Sequence, residues 1–290
     1  MQHWPNLFIA GAPKCGTSSL HAYLQQVPGI YMSRIKEPKY FCPVAIPDDH
    51  PIKPIRDRDR YLRLFAEGAT ARYRGEASPD YLEDPQAPYL IREVSPEAKV
   101  IVSLRDPVER LYSHYLMLRN NRTAFGTFAE EIRRGLELQS NRSLSLLWPD
   151  TGRYFEQVQR FREVFGVTGL QVLIYEEFAA DVQGAVRQVL QFLDIEYPVA
   201  DIDPDAHRQH SEARGQWVRY LWANKTISRA AESWVPPRAR KFVREKFLVK
   251  QVPKPPVDPE ARRFLVDFYS EDVRQLSGLL GRSLPWRNFS

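Results

Sequence analysis

The chain is poor in cysteine. Cys15 and Cys42 are the only two in 290 residues, which allows no disulfide framework and no zinc-type spacing. A reducing, cytoplasmic setting is expected. No apolar run is long enough to cross a bilayer. The first apolar stretch has no basic segment before it and runs straight into a glycine loop, so it is not read as a secretion signal. The N-x-[ST] triplets at Asn121, Asn141 and Asn224 are then read as chance matches. No internal repeat is visible. No His/Cys/Asp/Glu cluster has metal-ligand spacing, and no metal is expected. A strong charge bias is also missing. Lysine and arginine number 41 against 36 aspartates and glutamates, an excess of five. That favours a small polyanionic ligand or an acidic acceptor and gives no ground for expecting nucleic acid.

An apolar fraction of 43% in 290 residues is enough for a sizeable core. The reading is one domain over 1–290, with an irregular basic insertion or lid at about 225–258, where Pro236-Pro237 and Pro253 to Pro256 interrupt the pattern. Buried strands are expected at 6–11, 30–32, 73–76, 99–104 and 170–175. Helices are expected from Thr17 to Pro28-Gly29 and at 59–67, from Pro107, at 154–165, 182–193 and 260–280. Strands alternating with helices imply a central, mainly parallel sheet covered on both faces, a three-layer α/β fold. Ligands of such folds sit beyond the strand carboxyl ends.

The most informative stretch is Leu7 to Ser19, LFIAGAPKCGTSS. An apolar run stops at Gly11, a short loop carries Lys14 and Gly16, and hydroxyl residues open a helical pattern. Free backbone N–H groups and the positive helix end make this an anion cradle. Gly11 and Gly16 keep Walker A spacing, but Thr17 follows the second glycine and the lysine has moved to Lys14. A nucleotide phosphate fits this loop better than the Mg²⁺-assisted γ-phosphate geometry of an ATPase. A second strand end reads Val100-Ile-Val-Ser-Leu-Arg-Asp-Pro107. There Asp106 is a good N-cap and Pro107 suits the first helical position.

These two segments, with Lys36-Glu-Pro-Lys-Tyr-Phe41, resemble the sulfotransferases that use 3′-phosphoadenosine 5′-phosphosulfate (PAPS). The branch is that of the heparan sulfate enzymes and their bacterial relatives. The resemblance continues through Gly152-Arg-Tyr154, Val172 to Phe178 and Phe268 to Gly281. It implies a P-loop-type α/β fold and a single sulfotransferase domain. The donor would be PAPS, leaving 3′,5′-ADP (PAP), with no metal. It places Lys14, Cys15, Gly16, Thr17, Ser18 and Ser19 around the 5′-phosphosulfate, and Arg105 and Ser113 on the 3′-phosphate. It puts Tyr154 or Arg153 beside the adenosine, and a loop from His207 to Arg214 closing over the nucleotide, with Arg214 in reach of a donor phosphate. Glu37 falls where the family has its general base, and Lys14 where charge grows on the leaving phosphate. Lys39 and Glu76 fall toward the acceptor. Lys39 and Tyr40 replace the His and Phe common in heparan-modifying members, and Ala77 replaces a frequent lysine. Glu76 reads equally as a second acidic group near the acceptor or as a carboxylate capping a turn. Trp217, Trp222 and Trp234 read as acceptor-pocket lining or as ordinary packing, and His210 as a loop residue. The expected activity is transfer of the sulfuryl group to a hydroxyl or amine of a small-molecule or glycan acceptor, whether carbohydrate, lipid or natural product. The rival readings are a P-loop kinase and a non-catalytic PAPS-binding protein.

Overall fold

The computed structural model describes residues 4–43, 54–120, 124, 126–138, 147–203, 212–213, 249–250 and 255–289. The chain divides into two units, Met1–His207 with Val257–Ser290, and Arg208–Pro256. In the second, β6 (Glu212–Ala213) pairs antiparallel with β7 (Val249–Lys250).

The first unit is built on five parallel strands in the order β2-β3-β1-β4-β5. They are β1 (Leu7–Gly11), β2 (Ile30–Met32), β3 (Tyr73–Ala77), β4 (Lys99–Leu104) and β5 (Leu170–Ile174). All five lie where strands are expected, four of them on hydrophobic runs and β3, Tyr-Arg-Gly-Glu-Ala, without one. Successive side chains of a strand point to opposite faces, and this splits the core in two. Phe8, Ala10, Val100 and Val102 face one layer, made by α3 (Ala87–Val94), α4 (Pro107–Asn120), α6 (Tyr154–Gly169) and α9 (Pro259–Leu280). Leu7, Ile9, Ile101 and Leu173 face the other, made by α1 (Thr17–Leu24) and α8 (Val182–Phe192).

Helices α2 (Arg58–Arg63), α4, α6, α8 and α9 match their sequence signals. Helices α3, α5 (Phe128–Glu137) and α7 (Tyr175–Ala180) were not anticipated. Helix α7 starts directly at the end of β5, at the last residue of the strand expected at 170–175. Helix α5 opens with a capping box between Thr127 and Glu130, a signal present in the sequence and overlooked. Asp106 caps α4 as expected: its Oδ1 accepts the N–H groups of Val108 (3.0 Å) and Glu109 (3.2 Å). No helix among the described residues is long and apolar enough to span a membrane.

The C-terminal segment closes the carboxyl edge of β4. Trp286 is fully buried and donates its indole N–H to Glu176 Oε2 (3.1 Å), while Asn288 Nδ2 donates to Asp106 Oδ2 (2.7 Å). Ile101, fully buried on the α1/α8 face of β4, supports the strand from behind. Ile101→Ala is expected to cost about 2–5 kcal/mol, measured by urea unfolding. A cost below about 1 kcal/mol would mean that this layer is not a close-packed core.

Candidate active site

The site begins with a register. Leu7 pairs with Lys99 and Gly11 with Val102, so β1 and β4 end side by side. Ala12 N–H donates to Ser103 O (2.7 Å), and Ser103 Oγ donates to Cys15 O (2.6 Å). The loop after β1 is thereby tied to the strand whose next residue is Arg105.

The loop turns at two left-handed residues, Lys14 (φ 69°) and Gly16 (φ 83°). Only glycine fits at 16. A Cβ there would stand 2.9 Å from Phe178 and 3.0 Å from Tyr175. The first four N–H groups of a helix have no partner within it. Gly16 through Ser19 present this cradle at the head of α1, with no side-chain cap. Cys15 corrects one expectation. Its thiol is fully buried and pushed up to about 12 by burial, and its N–H already bonds Ala12 O (3.3 Å), so it shapes the loop without facing a ligand.

Lys14 and Arg105 converge. Among the described residues Lys14 Nζ meets only the thioether of Met117 (3.5 Å), and burial followed by the repulsion of Arg105 lowers its pKa. The Arg105 guanidinium lies over the Tyr175 ring (4.7 Å), with one weak bond from Nη1 to Lys14 O (3.5 Å) and a buried Nε without a partner. Among the described residues neither cation has a carboxylate within ion-pair distance. Ser113 stands two turns along α4, nearly buried. Two unanswered cations, an open helix head and a hydroxyl fit a ligand with more than one phosphate.

Glu37 lies on the far side, after β2. Its N–H donates to Ala77 O (3.0 Å), its backbone is left-handed (φ 59°), and its side chain is 21% exposed. Lys36 Nζ holds Oε1 (2.8 Å). Among the described residues Oε2 has only Lys39 Nζ, at 3.8 Å. Oε2 is therefore the oxygen with room to accept a proton.

Three further expectations are corrected. Lys39 is buried and its ammonium is engaged by Asp80, so it is not free to hold an acceptor. Glu76 has no exposed surface, and all its bonds are internal. Tyr154 is fully buried with its hydroxyl beside the Cys15 thiol, so it floors the loop and cannot border an adenosine. Arg153 instead lies over the Phe268 ring (4.9 Å). Arg214, His210, Trp217, Trp222 and Trp234 lie outside the described residues.

Two residues of α4 escaped the sequence reading. Arg110 is wholly buried, donates to Trp148 O (3.3 Å) and leaves Nε and Nη1 unpartnered. His114 is pushed down to about 3 by burial, then by Arg110, Lys14 and Lys39, and its Nδ1 has no partner. It stays neutral beside the cations. Helical spacing from Ser113 could have pointed to this face, but a lone histidine on a helix carries no signal of its own.

With this geometry in place, comparison decides the family. A family profile described as "Sulfotransferase domain" matches residues 5–276. The chain belongs to that family. Among solved structures it resembles a sulfotransferase from Alicyclobacillus acidocaldarius, at 30% identity and TM-score 0.75, covering 98% of this chain and 99% of that one. Among curated proteins it matches carbohydrate sulfotransferase 15 of Rattus norvegicus, 30% identical over 66% of this chain and 44% of that protein. It also matches bifunctional heparan sulfate N-deacetylase/N-sulfotransferase 4 of Mus musculus, 25% identical over 98% of this chain and 31% of that protein. The chain thus spans less than half the length of these curated relatives.

The pH dependence of anion binding follows from Lys14. Its folded pKa is depressed, and a phosphate beside it favours the charged form. PAP affinity is expected to be full below the free protein's Lys14 pKa and to fall as pH rises through it. Lys14→Met should remove that alkaline limb, read by calorimetric titration. Gly16→Ala should weaken PAP binding at least about tenfold at every pH. An unchanged alkaline limb in Lys14→Met would contradict the placement.

Proposed function

We propose that this sulfotransferase-family chain moves a sulfuryl group from PAPS to a hydroxyl or amine of a carbohydrate acceptor. The observation that carries the reading is the pair of cationic sockets at the adjoining ends of β1 and β4, with Glu37 Oε2 open across from them. The open N–H groups of Gly16, Thr17, Ser18 and Ser19 with Lys14 suit the 5′-phosphosulfate. Arg105 and Ser113 suit the 3′-phosphate, and the unpartnered Arg105 Nε is an orphan that such an oxygen would satisfy.

Bound PAPS supplies a sulfuryl group already activated for transfer. The residues do the rest. Glu37 Oε2 takes the acceptor's proton as the new S–O or S–N bond forms. The Lys14 ammonium answers the negative charge that grows on the departing phosphate oxygen, and is worth more in the transition state than in the ground state. The helix head and Arg105 fix the donor at both ends, so that attack is in line.

A kinase would need an acidic Mg²⁺ ligand at the end of β4. Asp106 does not offer one, because Oδ1 caps α4 and Oδ2 accepts from Asn288. The carbohydrate class follows the relatives' names, and the free, buried cysteines are in keeping with a cytoplasmic location.

Glycans incubated with protein and PAPS should gain sulfate by mass spectrometry. Glu37→Gln should slow that turnover by about 10²–10⁴-fold. The variant should keep PAP affinity within about threefold of wild type. Turnover that survives Glu37→Gln would remove Glu37 as the base. Donor binding without turnover on any acceptor would favour a binding protein.

A further inference from the structure

Glu76 is a fully buried carboxylate that the transfer chemistry leaves without a task. It sits near the end of β3. Its Oε1 accepts from the hydroxyls of Tyr61 (2.7 Å) and Tyr81 (2.6 Å), and its Oε2 accepts from Ser78 Oγ (2.6 Å). No lysine or arginine among the described residues pairs with it. Two of those hydroxyls have a second task. Lys39 N–H donates to Ser78 Oγ (3.1 Å), and Phe41 N–H donates to Tyr81 Oη (3.4 Å).

We propose that Glu76 is a positioning residue for Glu37, and that its ionised carboxylate holds the 37–41 loop in its working shape by fixing the direction of the Ser78 and Tyr81 hydroxyls. The argument is one of donors and acceptors. An ionised carboxylate can only accept, so each hydroxyl proton must point at Glu76. The hydroxyl lone pairs then point outward, where they can receive the loop's N–H groups. Glu37 N–H on Ala77 O completes the seam. The loop needs such a seam because Glu37 (φ 59°) and Lys39 (φ 52°) both stand in the left-handed region that ordinary residues avoid. This inference rests on the reading of Glu37 as the base.

The seam is pH-sensitive. Burial raises the Glu76 carboxyl to about 7, against the three hydroxyls that lower it, and neighbouring Glu37 raises it further. Tyr61 from α2 and Tyr81 from the turn after β3 are held well above the ordinary phenol range by burial and by Glu76, so both remain donors. The Cys42 thiol is pushed up by burial and then by Asp80 and Asp84, while Lys39 is answered by Asp80. Glu76 is therefore the group among them that changes charge near neutrality. Once protonated it becomes a donor itself. It then needs one hydroxyl as its acceptor, and where that is Ser78 or Tyr81 the hydroxyl's own proton turns outward and competes with the loop N–H it had received.

The test needs no acceptor. Amide exchange at Lys39 and Phe41 is followed by NMR in the full chain between about pH 6 and 8, corrected for intrinsic rates, with the Glu76 carboxyl carbon titrated in parallel. In wild type, protection of at least one of the two amides should fall as pH drops through the Glu76 midpoint. In Glu76→Gln, protection should be low and independent of pH, while PAP affinity stays within about twofold. Tyr61→Phe removes one donor but neither stitch. It should move the midpoint upward and keep protection above it, which keeps the test decisive if Glu76→Gln does not fold. Wild-type protection that ignores the Glu76 titration, or a Tyr61→Phe midpoint that does not move, would overturn the proposal. Failure of Glu37 as base would appear separately, as turnover by Glu37→Gln with the exchange pattern intact.

Discussion

Two cations meet at the ends of β1 and β4 with no carboxylate in ion-pair distance of either among the described residues, and the rest of the site is organised around that fact. Like charges brought together and partly buried raise the free energy of the empty protein. The lowered pKa of Lys14 is the local sign of it. The sheet enforces the arrangement, since the pairing of Gly11 with Val102 and the bond from Ser103 Oγ to Cys15 O leave the loop no other place. A polyanion would relieve the repulsion, and on the proposed reading the donor site is prepared before its ligand arrives.

The backbone carries the same signature. Among the described residues, four non-glycine positions have a left-handed φ, and three of them, Lys14, Glu37 and Lys39, border the site. Such conformations persist where surrounding bonds over-determine them. For Lys14 the surroundings are the ties to β4. For Glu37 and Lys39 they are the end of β3 and the hydroxyls oriented by Glu76. The proposed donor side and the proposed acceptor side are thus held by different strands, β4 and β3, on either side of β1.

Much of this was legible in the sequence. Four of the five strands follow from apolar runs at 6–11, 30–32, 99–104 and 170–175, because strands of a parallel sheet are buried on both faces and read as continuous hydrophobic stretches, while the strand expected at 73–76, Tyr-Arg-Gly-Glu, has no such run. The loop around Lys14 and the Arg105-Asp-Pro turn were legible because glycine, proline and capping residues act locally. Directions of side chains were not. Lys39, Glu76 and Tyr154 stand in the right motifs but face inward, and Cys15 sits in the loop with its thiol underneath. Facing is set by which strand lies next door, which one sequence does not state. Arg110 and His114 were missed for the same reason: their significance comes from Cys15, Lys14 and Lys39, far away in the chain.

The most direct test of the central claim compares two ligands on two proteins. PAP and adenosine 5′-monophosphate differ by the 3′-phosphate alone. Calorimetric titration of wild type should show a preference for PAP of about 100-fold, and Arg105→Met should reduce that preference to about unity while binding of the monophosphate is nearly unchanged. An equal preference for PAP in both proteins would contradict the two-socket account.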